Sequence, residues 1–317
     1  EDISKTGTDD LLMQLQGSIP SLNVHLQPIS DAASMIRPAN LRGLSADSTL
    51  ITTNGKRRHH ASVIAFQGGG VNDGSQGADI SVIPAIALKR VEVLRDGASA
   101  QYGSDAIAGV INFVLDDISE GGSLSYKMGE YTEGDGATTT IAGKYGMPLG
   151  QDGFVTTSFQ IRQADDTSRS AQRPDAAALI AAGNAAVANP AQIWGAPKID
   201  DDVTFFMNSG VTNSDGSESY MFGNYSERDV DGGFYYRNPD GRSGVFTIGD
   251  YRAVGNVDGT CAYGTGASGQ VDPSDYATRD LIMADPSCFL MNQIAPGGYT
   301  PRFTGNITDT SLTIGRR

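Results

Sequence analysis

From Gly122 onward the chain alternates. Segments of about ten residues, Gly122–Tyr131, Ala137–Met147, Gly153–Gln163, Val203–Thr212 and Glu218–Arg228, interleave apolar with polar positions, and Thr308–Ile314 begins a sixth. In the third, Val155, Thr157, Phe159 and Ile161 share one face while Thr156, Ser158, Gln160 and Arg162 share the other. Period-two alternation predicts β-strands with one apolar and one polar face. A soluble sandwich and a membrane barrel both accept that pattern, so each segment alone is ambiguous. The connections separate them. Their lengths are 5, 5, 39, 5 and 79 residues, with the short ones including Pro148–Asp152 and Asn213–Ser217. Short turns at one end and long loops at the other suit an outer-membrane barrel, whereas a soluble domain rarely carries so long an irregular connection.

The first third reads differently. Leu88–Leu94 is a half-buried strand, Arg95-Asp96-Gly97 breaks it with turn chemistry, and Ala98 to Gly109 gathers small side chains around Tyr102. Val110–Leu115 is a second apolar strand. Upstream, Thr8-Asp9-Asp10 is placed to cap a short helix ending near Gly17. Asn23–Gln27 and Leu50–Thr53 are predicted strands, Pro28–Met35 is a loop or helical turn, and Asn54-Gly55 is a tight-turn signal. Together these predict a compact α+β element. The polar run Asp116–Glu120 marks a boundary after it, giving domains 1–117 and 118–317.

Composition narrows the classes. A formal charge of −14 argues against nucleic-acid binding, which needs clustered Lys and Arg. Glycine accounts for 40 of 317 residues, well above the roughly 7% of average usage, favouring strands and turns over helix bundles. No run of 18 apolar residues predicts a transmembrane helix, though barrel strands need only about 9–11 alternating residues. Glu1-Asp2-Ile3-Ser4-Lys5 lacks a signal peptide's charged and apolar regions, so an exported chain would begin after processing.

Catalytic chemistry is sparse. His25, His59 and His60 are the three histidines, no Gly-x-Ser-x-Gly elbow occurs, and the paired carboxylates flank polar turns. Neither an enzyme, a cofactor nor a metal is expected. Gly68-Gly69-Gly70 lacks the Gly-Lys-Ser/Thr of a phosphate loop. Asp200-Asp201-Asp202 lacks EF-hand spacing and reads as a solvated turn. Trp194 reads as packing, and Asp175–Val187 as a short Ala-rich helix. Cys261 and Cys288 lie in a Gly/Asp/Pro-rich stretch. A disulfide between them fits an exported protein and would restrict the unfolded chain by roughly 3–4 kcal/mol; the alternative is two unrelated thiols.

The run from Ile83 to Leu115 carries a resemblance. Arg90-Val91-Glu92-Val93-Leu94-Arg95, then Ala98-Ser99-Ala100, Tyr102-Gly103-Ser104, Ala106-Ile107 and Gly109-Val110-Ile111-Asn112 are similar to the plug domain of TonB-dependent outer-membrane receptors. Asp96-Gly97 stands where many members have Gly-Pro. Leu41-Arg42-Gly43-Leu44 and Thr49–Lys56 follow the family's order, so the motifs cover roughly residues 8–116, and Gly233–Pro239 is similar to runs after an early barrel strand in some members.

The resemblance implies an α+β plug followed by antiparallel strands of a transmembrane β-barrel, closed by about 22 strands in the family and incomplete here. It implies energy-coupled uptake of a siderophore, vitamin, oligosaccharide or peptide across the outer membrane of a Gram-negative bacterium. The expected partners are the TonB–ExbB–ExbD complex, acting on a segment upstream of Glu1, outer-membrane lipid and lipopolysaccharide, and a remainder of the barrel beyond Arg317. The dibasic Arg316-Arg317 is read as a cut or truncation point. The basic turn Lys56–His60 and the loop Phe66–Asp79 are placed near the extracellular apex, making His59, His60, Asn72, Asp73 and Gln76 the candidate ligand contacts. Without the resemblance, Lys56–His60 reads as a solvated turn. Arg42 and Arg95 are candidates for pairing with barrel carboxylates; the alternative is surface ion pairs worth under about 1 kcal/mol. Two other readings compete: a TonB-linked signalling receptor, and a soluble or surface ligand-binding module without transport.

Overall fold

In the computed structural model, Asn54 and Gly55 take the left-handed conformation (φ 48° and 74°) that a two-residue hairpin demands. They join β3 (Thr49–Thr53) to β4 (Lys56–Arg57), after helix α1 (Leu11–Ser18) and the paired short strands β1 (Leu22–Val24) and β2 (Ala39–Leu41). β5 (Leu88–Leu94), the short helix α2 (Ser99–Tyr102) and β6 (Gly109–Leu115) complete the first third. The four-stranded sheet runs β4-β3-β6-β5, with β3 and β6 parallel and the other pairs antiparallel. Residues 11–24, 28–29, 31–65, 70–248, 251–263, 270–272 and 275–317 are described; the Thr8–Asp10 cap, His25, Leu26, Gln27 and Phe66–Gly69 lie outside them.

The apolar positions of α1, β1, β2, β5 and β6 converge on one core, including Leu12, Leu41, Ile80, Ile111 and Phe113. Gly109 stands at its tightest point: a Cβ there would lie 2.2 Å from the Leu94 carbonyl oxygen and 2.7 Å from Leu41. The small-residue knot packs differently from expectation. Tyr102 is exposed, and Leu50, Ala106 and Val110 form the small cluster instead.

β7 (Gly122–Gly129), β8 (Thr138–Pro148), β9 (Gly153–Ala164), helix α3 (Pro174–Ala181), β10 (Lys198–Thr212) and β11 (Glu218–Gly233) follow, then β12 (Thr247–Ile248), β13 (Tyr251–Asn256), β14 (Gln270–Val271), α4 (Tyr276–Ala284), β15 (Cys288–Leu290) and β16 (Arg302–Arg316). Six of these form one sheet in the order β16-β11-β10-β9-β8-β7. Chain neighbours β7 to β11 pair antiparallel throughout. Turns 149–152 and 213–217 close one end, and the long connections leave the other.

The two faces of this wall are opposite in kind. On one, Tyr126, Ile141, Ile161 and Val203 stand in register across four strands, and Leu124, Phe159, Phe205 and Tyr225 form the adjoining rows, all exposed. Gly143 completes that second row; a Cβ there would meet Phe159 at 2.6 Å. On the other face Thr140, Thr156, Ser158, Thr204, Asn208, Asn224, Ser226 and Arg228 are buried. A water-soluble sandwich hides its apolar face and wets its polar one. This wall does the reverse, as a barrel in lipid does. Among the described residues no helix is long and apolar enough to cross a membrane, which leaves strands unaffected.

The chain divides into two compact units. Glu1–Ser168, Gly195–Gly232 and Phe303–Arg317 hold the α+β element and the wall; Arg169–Trp194 and Gly233–Arg302 form the other. The second unit is built from the two long connections, so they are folded rather than irregular. Val254, Val271, Ile282, Cys288 and Leu290 form one small core, and Ala176, Val187, Ala191 and Tyr236 another. Trp194 is 51% exposed, against its reading as packing. Cys261 and Cys288 are joined, with Cα atoms 5.1 Å apart. Replacing both with serine is expected to speed protease cleavage within 257–288 while leaving the wall intact, since a bridge of this length restricts the unfolded chain by roughly 3–4 kcal/mol. Unchanged digestion would remove that role. In the same unit, hydrogen bonds from Arg173 hold the Asp175 carboxyl below its ordinary range, with help from Asn238 and the Ala176 amide against partial burial. A depressed folded-state pKa adds stability above the ordinary Asp value that is lost as pH falls through the folded one. Asp175→Asn is therefore expected to lose stability at neutral pH and to flatten the acid limb of protease resistance below about pH 4.

Candidate functional site

The polar face of the wall is covered by the α+β element, and charge joins them at three places. Nearest the short turns, Lys144 reaches Asp116, whose backbone carbonyl accepts a bond from the Asn208 amide at 3.0 Å. The Asn54 amide donates to Asn208 at 3.2 Å, and Lys56 lies over the Tyr220 ring. Farther along, Arg58 donates to Asp309 of β16 at 2.5 Å and to Asn224 of β11 at 3.2 Å. The His59 ring nitrogen meets the second oxygen of the same carboxylate at 2.8 Å. Toward the long-loop end, Arg228 of β11 pairs with Asp79 at 2.9 Å and donates to the Met35 carbonyl at 2.6 Å and to the Ser81 hydroxyl.

These bonds bury charge. The Arg58 and Asp309 side chains are 3% and 10% exposed, and Arg228 and Asp79 are 4% and 3%. Buried ions survive when paired and hydrogen-bonded. Asp79 meets that requirement: besides Arg228 it accepts from the Arg37 amide at 3.1 Å and the Ser81 amide at 3.0 Å. Apolar contact adds to the charge. Phe206 and Phe222, inward-facing on β10 and β11, join the core cluster, so the interface is mixed rather than purely polar. Beside Arg228, a cavity of about 690 Å³ is lined by Asp202, Arg162 and Gln160 among others.

The basic run starts at the short-turn end of the wall, where β4 pairs with β3 and Lys56 lies over Tyr220. Arg57 is exposed and pairs with Asp105; Arg58 is buried rather than solvated. His59 is engaged with the wall, and His60 is exposed. The described part of the loop is closed in. Asn72 is 0% exposed: its amide donates to the Asn40 carboxamide oxygen at 2.8 Å and its oxygen accepts from Asn40 and the Ala46 amide. Asp73 is exposed; Gln76 is half-buried and donates to the Ala61 carbonyl at 2.8 Å. These residues therefore do not form one cluster. Arg42 and Arg95 are both exposed, with no ion pair among the described residues.

Arg58, Asp79, Asp202, Arg228 and Asp309 are the charged residues that sequence reasoning missed. Parity held the signal: counted from Asn224, Arg228 falls on the inward face, and a charge there needs a partner. Asp202 belongs to β10 and is buried, so the Asp200–Asp202 run is not a solvated turn. Among the described residues no group of three or more His, Cys, Asp or Glu could hold a metal ion.

Comparison places this arrangement. Residues 1–110 match the TonB-dependent Receptor Plug Domain family. Two Pseudomonas aeruginosa proteins, the ferric enterobactin receptor and the ferric enterobactin receptor PirA, are 32% and 31% identical over 114 residues. Each match takes in 36% of this chain and 15% of the relative, so the chain spans a small part of their length. Among solved structures, the siderophore receptor PirA from Acinetobacter baumannii is similar at 17% identity and TM-score 0.42, covering 76% of this chain and 40% of that one. The copper transporter OprC is similar at 16% identity and TM-score 0.45, covering 72% and 30%. Residues 1–110 are thus a TonB-dependent receptor plug domain by family match, seated here against an unclosed antiparallel wall.

Proposed function

We propose that the protein takes up a scarce nutrient across the outer membrane, with the plug (residues 1–117) gating a barrel whose wall begins at 118. The observation that carries this reading is the inverted wall. Its apolar face is exposed and its polar face holds the plug through breakable bonds, which suits a conditional stopper in lipid. A soluble binding module would have no use for the exposed rows of Tyr126, Leu124 and Phe205. Energy is supplied by TonB–ExbB–ExbD acting on the plug.

Ferric siderophores are the first substrates to test, because both curated relatives are named for ferric enterobactin. Vitamin, oligosaccharide and peptide remain the other classes, since loops rather than the plug match select the ligand. His60, Asp73 and Gln76 are the proposed plug contacts for it, with His59 released from Asp309 as the plug moves and Asn72 holding the loop from behind. Arg42 and Arg95 are proposed to pair with barrel carboxylates.

The test is uptake of radiolabelled ferric enterobactin by cells carrying the full-length receptor, with outer-membrane fractionation and peptide mapping. Accumulation that stops when the proton gradient collapses supports the reading. A 33.2 kDa protein recovered wholly in the soluble fraction would overturn it.

A further inference from the structure

We propose that Arg228 exchanges carboxylates during gating, pairing with Asp79 of the plug while the plug is seated and with Asp202 of the wall once it moves. The proposal rests on the reading above, that the plug is displaced. Asp202 and Arg228 are direct cross-strand partners on β10 and β11, and such pairs have Cβ atoms about 4.5–5.5 Å apart. Yet the guanidinium turns away, to Asp79, Ser81 and the Met35 carbonyl. Asp202 is left 3% exposed, with Thr204 at 3.4 Å as its hydrogen-bond partner and no ion pair among the described residues. The Arg228 Nε is buried and makes no hydrogen bond. Both side chains line the 690 Å³ cavity, which leaves room for a rotamer change.

Two buried carboxylates therefore flank Arg228, and Asp202 lies within the field of Arg228, of Arg162 (its register partner on β9) and, repulsively, of Asp79. Moving the plug withdraws Asp79, relieves that repulsion, and gives Arg228 a partner already in register. Breaking a buried ion pair is costly chiefly because an uncompensated charge is left behind, and Asp202 removes that penalty on the wall side. Asp202 acts through Arg228, as a positioning residue for plug release.

The experiment measures KCl conductance of the full-length receptor in planar bilayers through a urea ramp, with Asp202→Asn, Asp79→Asn and the double variant. Asp202→Asn is expected to make opening about tenfold rarer, and Asp202→Ser should act in the same direction. Asp79→Asn should open more often than the wild type. Adding Asp202→Asn to Asp79→Asn should change nothing further, because the exchange is already gone. Wild-type opening in Asp202→Asn, or an equal effect in both backgrounds, would overturn the exchange and leave uptake standing. If neither the wild type nor Asp79→Asn opens below the melting of the barrel, the plug does not leave and both readings fall.

Discussion

Arg58→Met in the full-length receptor is expected to loosen the plug by about 3–5 kcal/mol, the usual cost of removing one partner of a buried ion pair. The guanidinium contacts Asp309 and Asn224 in a region where the arginine side chain is 3% exposed and the aspartate 10%. Methionine fills much of the volume but leaves Asp309 with the Asn224 amide at 2.8 Å and His59 at 2.8 Å. The neighbouring residue supplies the control. Arg57 pairs with Asp105 at 47% and 31% side-chain exposure, so Arg57→Met should change seating by under about 1 kcal/mol. Protease protection of the plug through a urea ramp reads both. Adding Asp309→Asn to Arg58→Met removes the stranded charge and should restore part of the loss. Equal effects at 57 and 58, or no rescue by Asp309→Asn, would mean that the pair does not hold the plug.

The contrast between these two arginines marks where sequence reading stops. Lys56 to His60 is five basic or potentially basic residues in a row, and composition alone makes that a solvated turn. What separates Arg57, the last residue of β4, from Arg58, the first residue after it, is the side each faces and what lies opposite. The opposing residue, Asp309, is 251 positions away. Local features were far more legible. Asn54-Gly55 announces its hairpin because few residues accept positive φ, and the segments from Gly122 onward announce strands because their faces alternate. The long connections were legible as connections but not as a folded unit. Their small cores depend on a disulfide and on pairings such as Asn256 with Cys288 that no periodicity records. The seating of the basic turn was illegible for a related reason: a hairpin's position along a barrel depends on strand register against the wall, and the wall partners Tyr220, Asn208 and Asn224 reveal nothing about it individually.

Phe205 and Phe206 are adjacent on β10 and face opposite media, so their substitution separates lipid from water as the outer solvent. Phe205 is 45% exposed, in register with Phe159 and Tyr225; Phe206 is 2% exposed against the plug core. Phe205→Lys is expected to cost about 2–4 kcal/mol of folding into vesicles, because an ammonium must leave water for the hydrocarbon band. In water the same lysine at a half-exposed position would fall within about 0.5 kcal/mol of neutral. Phe206→Ala is expected to cost about 3–5 kcal/mol in either medium, since it empties a packed site. The folded fraction, read by protease protection in phospholipid vesicles across a urea series, distinguishes the cases. Loss at both positions is the signature of a wall with lipid outside and a plug inside. Loss at Phe206 alone would return the sheet to water, and with it the exposed row from Leu124 to Tyr225 would need a protein partner instead of a membrane.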